Sequence, residues 1–236
     1  MRKRGRPDYR GPMTAESVPA WQRRTEGESR WQAMAVVTGT LASQLALPGA
    51  LVLSPRWLLP ALSTLLIVAL LLVNPGKVDR RSRRERLISL VLVALVSAAN
   101  ALSAIELVIG IVDGSITGSA GRVLLSGVIV YWTNIVVFSL WYWEFDRGGP
   151  AARALGEADY PDFMFPQMSD PKLAPPDWEP GYLDYLYVSF TNAAAFSPTD
   201  VMPLRRWAKL TMLAQAGLSL ILALMVVAWA VGGLRG

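Results

Sequence analysis

The sequence predicts an all-α, polytopic helical membrane protein with about five transmembrane helices and one shorter, re-entrant half-helix. Three observations carry that class. Only 17% of the 236 residues are charged and 53% are hydrophobic, whereas soluble domains hold about 25% charged residues. The charges are clustered, which leaves apolar stretches long enough to cross a bilayer. Nine Trp are present, and Trp favours the membrane–water interface.

Composition also excludes. With neither Cys nor His in the chain, disulfides, thiolate chemistry, haem ligation by His and typical zinc sites are ruled out. An oxygen-ligand metal site stays open, although no metal site or cofactor is indicated. Asp159, Asp162, Asp170 and Asp177 lack the compact spacing of a calcium loop. No nucleophile is accompanied by a base, so no enzyme is expected. The net charge of +5 does not point to nucleic acid, because the basic residues flank apolar spans, where cytoplasmic Lys and Arg belong.

Residues 1–32 hold eight Lys/Arg and four Asp/Glu and read as a basic, disordered cytoplasmic tail without a signal peptide. Residues 33–48 form the weakest span. Thr38, Thr40, Ser43 and Gln44 dilute it, and it reaches full length only by running through Pro48-Gly49 to about residue 54. The second helix runs from Trp57 to Val73, with Pro60 in the first turn, where a missing N–H costs little. Residues 77–86, with six basic and two acidic side chains, form the strongest topogenic signal and place this loop and the N-terminus in the cytoplasm. The third helix covers Leu87 to about Gly110, and the fourth Val123 to Trp143, ending in the aromatic run 141–145.

The segment from Glu144 to about Glu179 is acidic and proline-rich, which forbids a long helix. Its Tyr160, Phe163, Phe165, Met168 and Trp178 predict an ordered excursion packed on the bundle or on a neighbouring subunit. Residues 182–196 would make a helix of about 22 Å, shorter than the ~30 Å hydrocarbon layer, before Ser197-Pro198-Thr199 break it. Three placements fit: re-entrant, flat in the interface, or a short tilted crossing. A last helix runs from about Pro203 to Val231.

The stretch from Tyr187 to Pro203 resembles the pore-helix and filter segment of the tetrameric potassium-channel superfamily. Tyr187, Ser189 and Phe190 match the opening of that pore helix, and Asp200 and Pro203 match its exit. Ala208, Lys209 and Gln215 resemble the start of the inner helix. The family's Gly-Tyr-Gly positions hold Ser197, Pro198 and Thr199, with Phe196 before them. Proline cannot reproduce the carbonyl geometry of that filter, so standard potassium selectivity is not implied. The chain as a whole also resembles bacterial integral-membrane proteins without assigned activity, in "WYWEFDRGGP", "PDFMFPQM" and "SFTNAAAFSPTD", which implies the bacterial inner membrane.

The resemblance implies a three-helix N-terminal region over 33–111 and a pore-like module over 112–236. In that module residues 122–143 form the outer helix, 144–181 the excursion, 182–203 the re-entrant helix and loop, and 204–231 the inner helix. It further implies a homotetramer in the lipid bilayer that handles monovalent or divalent cations. Thr191, Asn192, Phe196, Ser197, Pro198, Thr199 and Asp200 would form the filter-like loop, with Thr211, Gln215 and Ser219 lining the inner helix below. With five crossings the positive-inside rule has this loop enter from the cytoplasm, so either it is inverted as in ionotropic glutamate receptors or the weak first span does not cross and the loop enters from outside. Asp200 fits a ring of carboxylates, a helix cap, or a partner for Arg205 or Arg206. Polar groups also enter the other spans. Asn100 and Asn134 could pair across the bundle, Glu106 fits either an interfacial or a cavity position, and Glu144 and Asp146 have Arg147 and Arg153 within reach. A membrane assembly protein without conduction, or a small-solute transporter, would have the same composition.

Overall fold

A computed structural model of the chain describes residues 20–25, 27–45, 57, 61, 64, 65, 67, 68, 77, 78, 83–115, 120–158, 160–195 and 200–233. Its helices are α1 (Trp31–Gln44), α2 (Arg83–Val112), α3 (Ala120–Phe145), α4 (Pro150–Ala154), α5 (Pro166–Ser169), α6 (Tyr182–Ala195) and α7 (Arg206–Gly233). Two antiparallel two-residue pairs complete it. β1 (Glu28–Ser29) pairs with β2 (Lys77–Val78), and β3 (Phe163–Met164) pairs with β4 (Met202–Pro203).

Among the described residues three helical spans, Arg86–Val112, Gly121–Gly148 and Arg206–Gly232, are long and apolar enough to cross a membrane. α2 and α3 extend past the expected bounds at both ends, and α7 starts three residues later and ends two residues later than expected. α1 is different. It has 14 residues, about 21 Å of helix, and stops ahead of Pro48-Gly49. The second expected helix falls largely outside the described residues.

The central helix is α3. It packs on α1, α2, α6 and α7, as its sequence allows, having no charge between Arg122 and Glu144. Two apolar clusters flank its length. The larger joins Val37, Val93, Val136, Leu140, Tyr142, Tyr185 and Met212, from α1, α2, α3, α6 and α7. The smaller joins Ala104, Leu107, Val123, Val130, Leu222 and Val226 of α2, α3 and α7. There α3 and α7 approach so closely that a Cβ on Gly127 would lie 2.6 Å from a Val226 methyl.

α6 runs antiparallel along the C-terminal half of α3. Tyr185 Oη donates to Asp146 Oδ2 (2.7 Å), Ser189 Oγ to the Ile135 carbonyl (2.6 Å), and Tyr131 Oη to the Ala193 carbonyl (2.8 Å). Tyr131 lies eleven residues, about 16 Å, past Ala120, and α6 continues only two residues beyond Ala193, so it ends short of the far end of α3. The chain then returns to the end it left. β4 pairs Met202 with Met164 and Pro203 with Phe163, and Leu204 N donates to the Asp162 carbonyl at 2.8 Å.

The acidic excursion packs on the bundle. Phe163 is fully buried, with ring centroids 5.1 Å from Tyr142 and 5.6 Å from Trp207. Phe165 packs edge-on to Tyr185 and Trp178, and Tyr160 is exposed. The N-terminal segment departs from the disordered tail expected over 1–32. From Ala20 it forms a 3₁₀ turn, β1 and the start of α1, because Glu28 and Trp21 meet charged partners described next. Residues 1–19 lie outside the described residues.

Candidate functional site

The C-terminus of α3 carries the sequence Trp-Glu-Phe-Asp-Arg-Gly-Gly-Pro, and each part of it shapes a buried polar cap. Arg147, Gly148 and Gly149 all take positive φ (53°, 85° and 95°), which turns the chain sharply out of the helix. At Gly149 a Cβ would meet the Glu144 carbonyl at 2.8 Å, so glycine is required there. Asp146, fully buried, accepts from Asp162 N (2.9 Å), Phe163 N (3.2 Å) and the Tyr185 hydroxyl, with Arg147 Nε at 3.4 Å.

Arg153 satisfies the α3 terminus from the other side. It donates to the carbonyls of Trp143 (2.7 Å) and Asp146 (3.1 Å), which lie in the turn whose acceptors have no intrahelical partner. Its remaining edge meets Glu28, with Nε 2.8 Å and Nη2 2.7 Å from Oε1, while Trp143 Nε1 donates to Glu28 Oε2 at 2.6 Å. Burial opposes the Arg153 charge, but Glu28 and Asp146 outweigh it and hold the guanidinium protonated. Arg147 donates to the Trp21 carbonyl and lies over the Trp21 ring. On the rim, burial together with the nearby Glu28 charge pushes the Glu179 carboxyl upward. Asp162 accepts from Arg147 N (2.7 Å) and Trp207 Nε1 (3.3 Å) and forms an ion pair with Arg205, whose Nε is 3.2 Å away. The cap thus ties the N-terminal segment, α3, the excursion, α6 and the start of α7 to one another.

A second polar centre lies deeper, between α3, α6 and α7. Gln215 is fully enclosed and all four of its hydrogen-bonding positions are used. Its Oε1 accepts from Tyr142 Oη (2.5 Å) and Asn192 Nδ2 (2.9 Å), and its Nε2 donates to the carbonyl (2.9 Å) and hydroxyl (2.7 Å) of Ser189. Asn192 also donates to the Met212 carbonyl at 3.0 Å. Ser219, equally enclosed, accepts from Asn134 Nδ2 at 3.0 Å. Gln215 and Ser219, expected to line a lumen, therefore point into the chain's own bundle and join its helices. Thr211 is half-buried and donates to the Trp207 carbonyl of its own helix.

No protein-family model, curated protein or solved structure matches the chain.

The residues expected at the filter divide. Thr191 donates back to the carbonyls of Tyr187 (3.0 Å) and Val188 (3.1 Å), and Asn192 serves the Gln215 centre. Asp200 is exposed at the return of the hairpin. Phe196, Ser197, Pro198 and Thr199 lie outside the described residues. Asn134 meets Ser219, not the expected Asn100. The outward face of α6 is apolar, with Leu183, Tyr187 and Phe190 exposed, and so is that of α7, with Leu210, Leu213 and Leu224. Among the described residues no group of three or more Asp or Glu could hold a metal ion. Sequence reasoning missed Tyr142, Glu28 and Asp162 as structural centres. Only Tyr142 carried a signal, a phenol inside an apolar helix, where a buried hydroxyl needs a partner.

Proposed function

We propose that the chain is a homo-oligomeric membrane protein whose re-entrant hairpin, α6 and the segment returning to β4, surrounds a cation pathway with its symmetric copies. The observation carrying this reading is that α6 stops part-way along α3 and the chain comes back to the same end of the bundle. Six residues, 196–201, join α6 to β4, and at up to ~3.3 Å each they can reach back over the ~21 Å length of α6. Arg83, Arg84 and Arg86 at the start of α2 and Arg205, Arg206 and Lys209 at the start of α7 share that end, which supports its cytoplasmic placement. A single hairpin encloses no path, so copies around an axis are needed, four by the resemblance to potassium channels. Asp200 then supplies a carboxylate ring favouring cations.

A second reading, a membrane assembly protein without conduction, is favoured by the complete saturation of Gln215 within the protomer and the apolar outer face of α7. Purified protein in cation-loaded liposomes separates the two. The channel reading expects cation flux that falls by about ten-fold or more in Asp200→Asn as the ring of negative charge is lost. No flux above empty liposomes under any cation gradient, or a monomer in nanodiscs, overturns it and leaves the assembly reading.

A further inference from the structure

Away from the hairpin, three oxygens in the apolar part of the bundle have no hydrogen-bond partner although they are shielded from solvent. They are Asn100 Oδ1 and Glu106 Oε2 on α2, and Asn134 Oδ1 on α3. The Asn100 and Asn134 residues are 3% and 1% exposed. All three are acceptors. A lone orphan in a well-packed interior is a small defect, but three of one polarity in neighbouring helices call for a common donor or positive charge.

The helix register brings Asn100 and Asn134 to one depth, with Glu106 less than two turns further along α2. Ser89 on α2 hydrogen-bonds Glu144 on α3, and Trp141 Nε1 donates to Ser97 Oγ at 3.0 Å. A side chain on a helix leans over the turn N-terminal to its own Cα, so Trp141 reaches Ser97 from about one turn away. Both ties set Asn100 level with residues 133–134 of α3. Asn134 is held by its amide nitrogen, which donates to Ser219, and this leaves its oxygen as the free pole. Glu106 lies six residues beyond Asn100, about 9 Å along α2, but the lean of its side chain carries the carboxylate back toward Asn100. The lean of Asn134 on the antiparallel helix is toward Glu106. Ser103, also buried, occupies the turn between.

We propose that Asn100, Asn134 and Glu106 form a binding site for a single small alkali cation within the α2–α3–α7 bundle. The two amide oxygens act as neutral ligands, the Glu106 carboxylate balances the charge, and water completes the shell. Oxygen donors of this kind suit a hard cation. An intramembrane carboxylate is functional more often than structural. The site is separate from the proposed hairpin pathway, which lies on the other side of the Gln215 centre.

The test uses the full-length protein in nanodiscs of neutral lipid. Thermal unfolding is followed while NaCl replaces choline chloride at constant ionic strength. Wild type is expected to gain stability with Na⁺ in a saturable way, as linkage requires of a ligand bound only by the folded state. Glu106→Gln is expected to abolish the gain. Asn100→Leu and Asn134→Leu should each raise the half-saturating concentration by about ten-fold or more. Asn100→Leu, which removes an orphan acceptor, should unfold in choline no earlier than wild type, whereas Asn134→Leu also loses the bond to Ser219 and unfolds earlier. Asn100→Asp, which adds charge at the site, should lower the half-saturating concentration, and Asp200→Asn should leave it unchanged. A wild-type transition indifferent to Na⁺ means that water alone fills the site and overturns the proposal. So does a Na⁺ response that survives Glu106→Gln, or one that is lost in Asp200→Asn.

Discussion

Gln215 and Thr211 sit one turn apart on the same face of α7, and their environments separate their roles. Gln215 uses every donor and acceptor across three helices, whereas Thr211 bonds only the Trp207 carbonyl of its own helix. Gln215→Leu strands the enclosed Tyr142 hydroxyl and half of the Asn192 and Ser189 bonding, at about 1–3 kcal/mol for each group left unmet. Unfolding in mild detergent should therefore show a loss of about 2–4 kcal/mol for Gln215→Leu and under about 1 kcal/mol for Thr211→Val. Equal losses would mean that the Gln215 centre contributes nothing special. The stripe Thr211, Gln215, Ser219 was visible in the sequence, but its direction was not. A polar stripe on an apolar helix fits a lumen and a neighbouring helix equally well. Only the Ser189, Asn192 and Tyr142 partners on the other helices decide between them.

At the scale of elements, the close approach of α3 and α7 depends on a glycine. Gly127 admits the Val226 side chain, whose methyls and Cβ would lie 2.6–3.2 Å from any added Cβ. A rotamer change cannot relieve the contact because Val226 Cβ is itself close. Gly127→Ala should cost about 1–3 kcal/mol by overpacking. Val226→Ala in the same chain should recover most of that loss, a coupling that a double-mutant cycle measures directly. Additive losses would place the strain elsewhere. The long helices α2, α3 and α7 were legible because an uninterrupted apolar run has one low-energy solution in lipid. The length of α6 was legible, and three placements in the membrane fit it because length says nothing of where the ends go. The pairing of β4 with β3 brings the chain back to the end of α3 at which α6 starts, and no local pattern in residues 200–204 encodes it.

For the whole molecule, the basic residues and the hairpin make a joint statement about sidedness, and a chain without Cys is suited to test it. Arg84→Cys at the start of α2 and Lys172→Cys in the excursion should be modified by a membrane-impermeant thiol reagent only in inverted vesicles. Ser115→Cys, between α2 and α3, should be modified only in intact cells. Labelling of Lys172→Cys and Ser115→Cys from the same face would remove the hairpin from the cytoplasmic end. Of the cap, the local meeting of Asp146 with Arg147 and Arg153 was readable beforehand and the rest was not. Its partners come from distant parts of the chain, Glu28 with Arg153 and Asp146 with Tyr185, and paired charges far apart in sequence leave no periodicity.

That same cap imposes an order on biogenesis. Asp146 ends the central helix, yet three of the groups that neutralise or bond it come from Asp162, Phe163 and Tyr185, all of which emerge from the ribosome later. Arg205, which secures Asp162, comes later still. Until then the α2–α3 hairpin ends in a carboxylate that must stay at the water-exposed surface, because an uncompensated charge is costly in a low-dielectric interior. Glu28 is synthesised first and waits longest, more than a hundred residues, for Arg153. Insertion of α2 and α3 therefore precedes closure of the cap. The N-terminal segment acts as a tether that fastens only once the excursion has been made, so a chain truncated before Arg205 would insert but fail to lock.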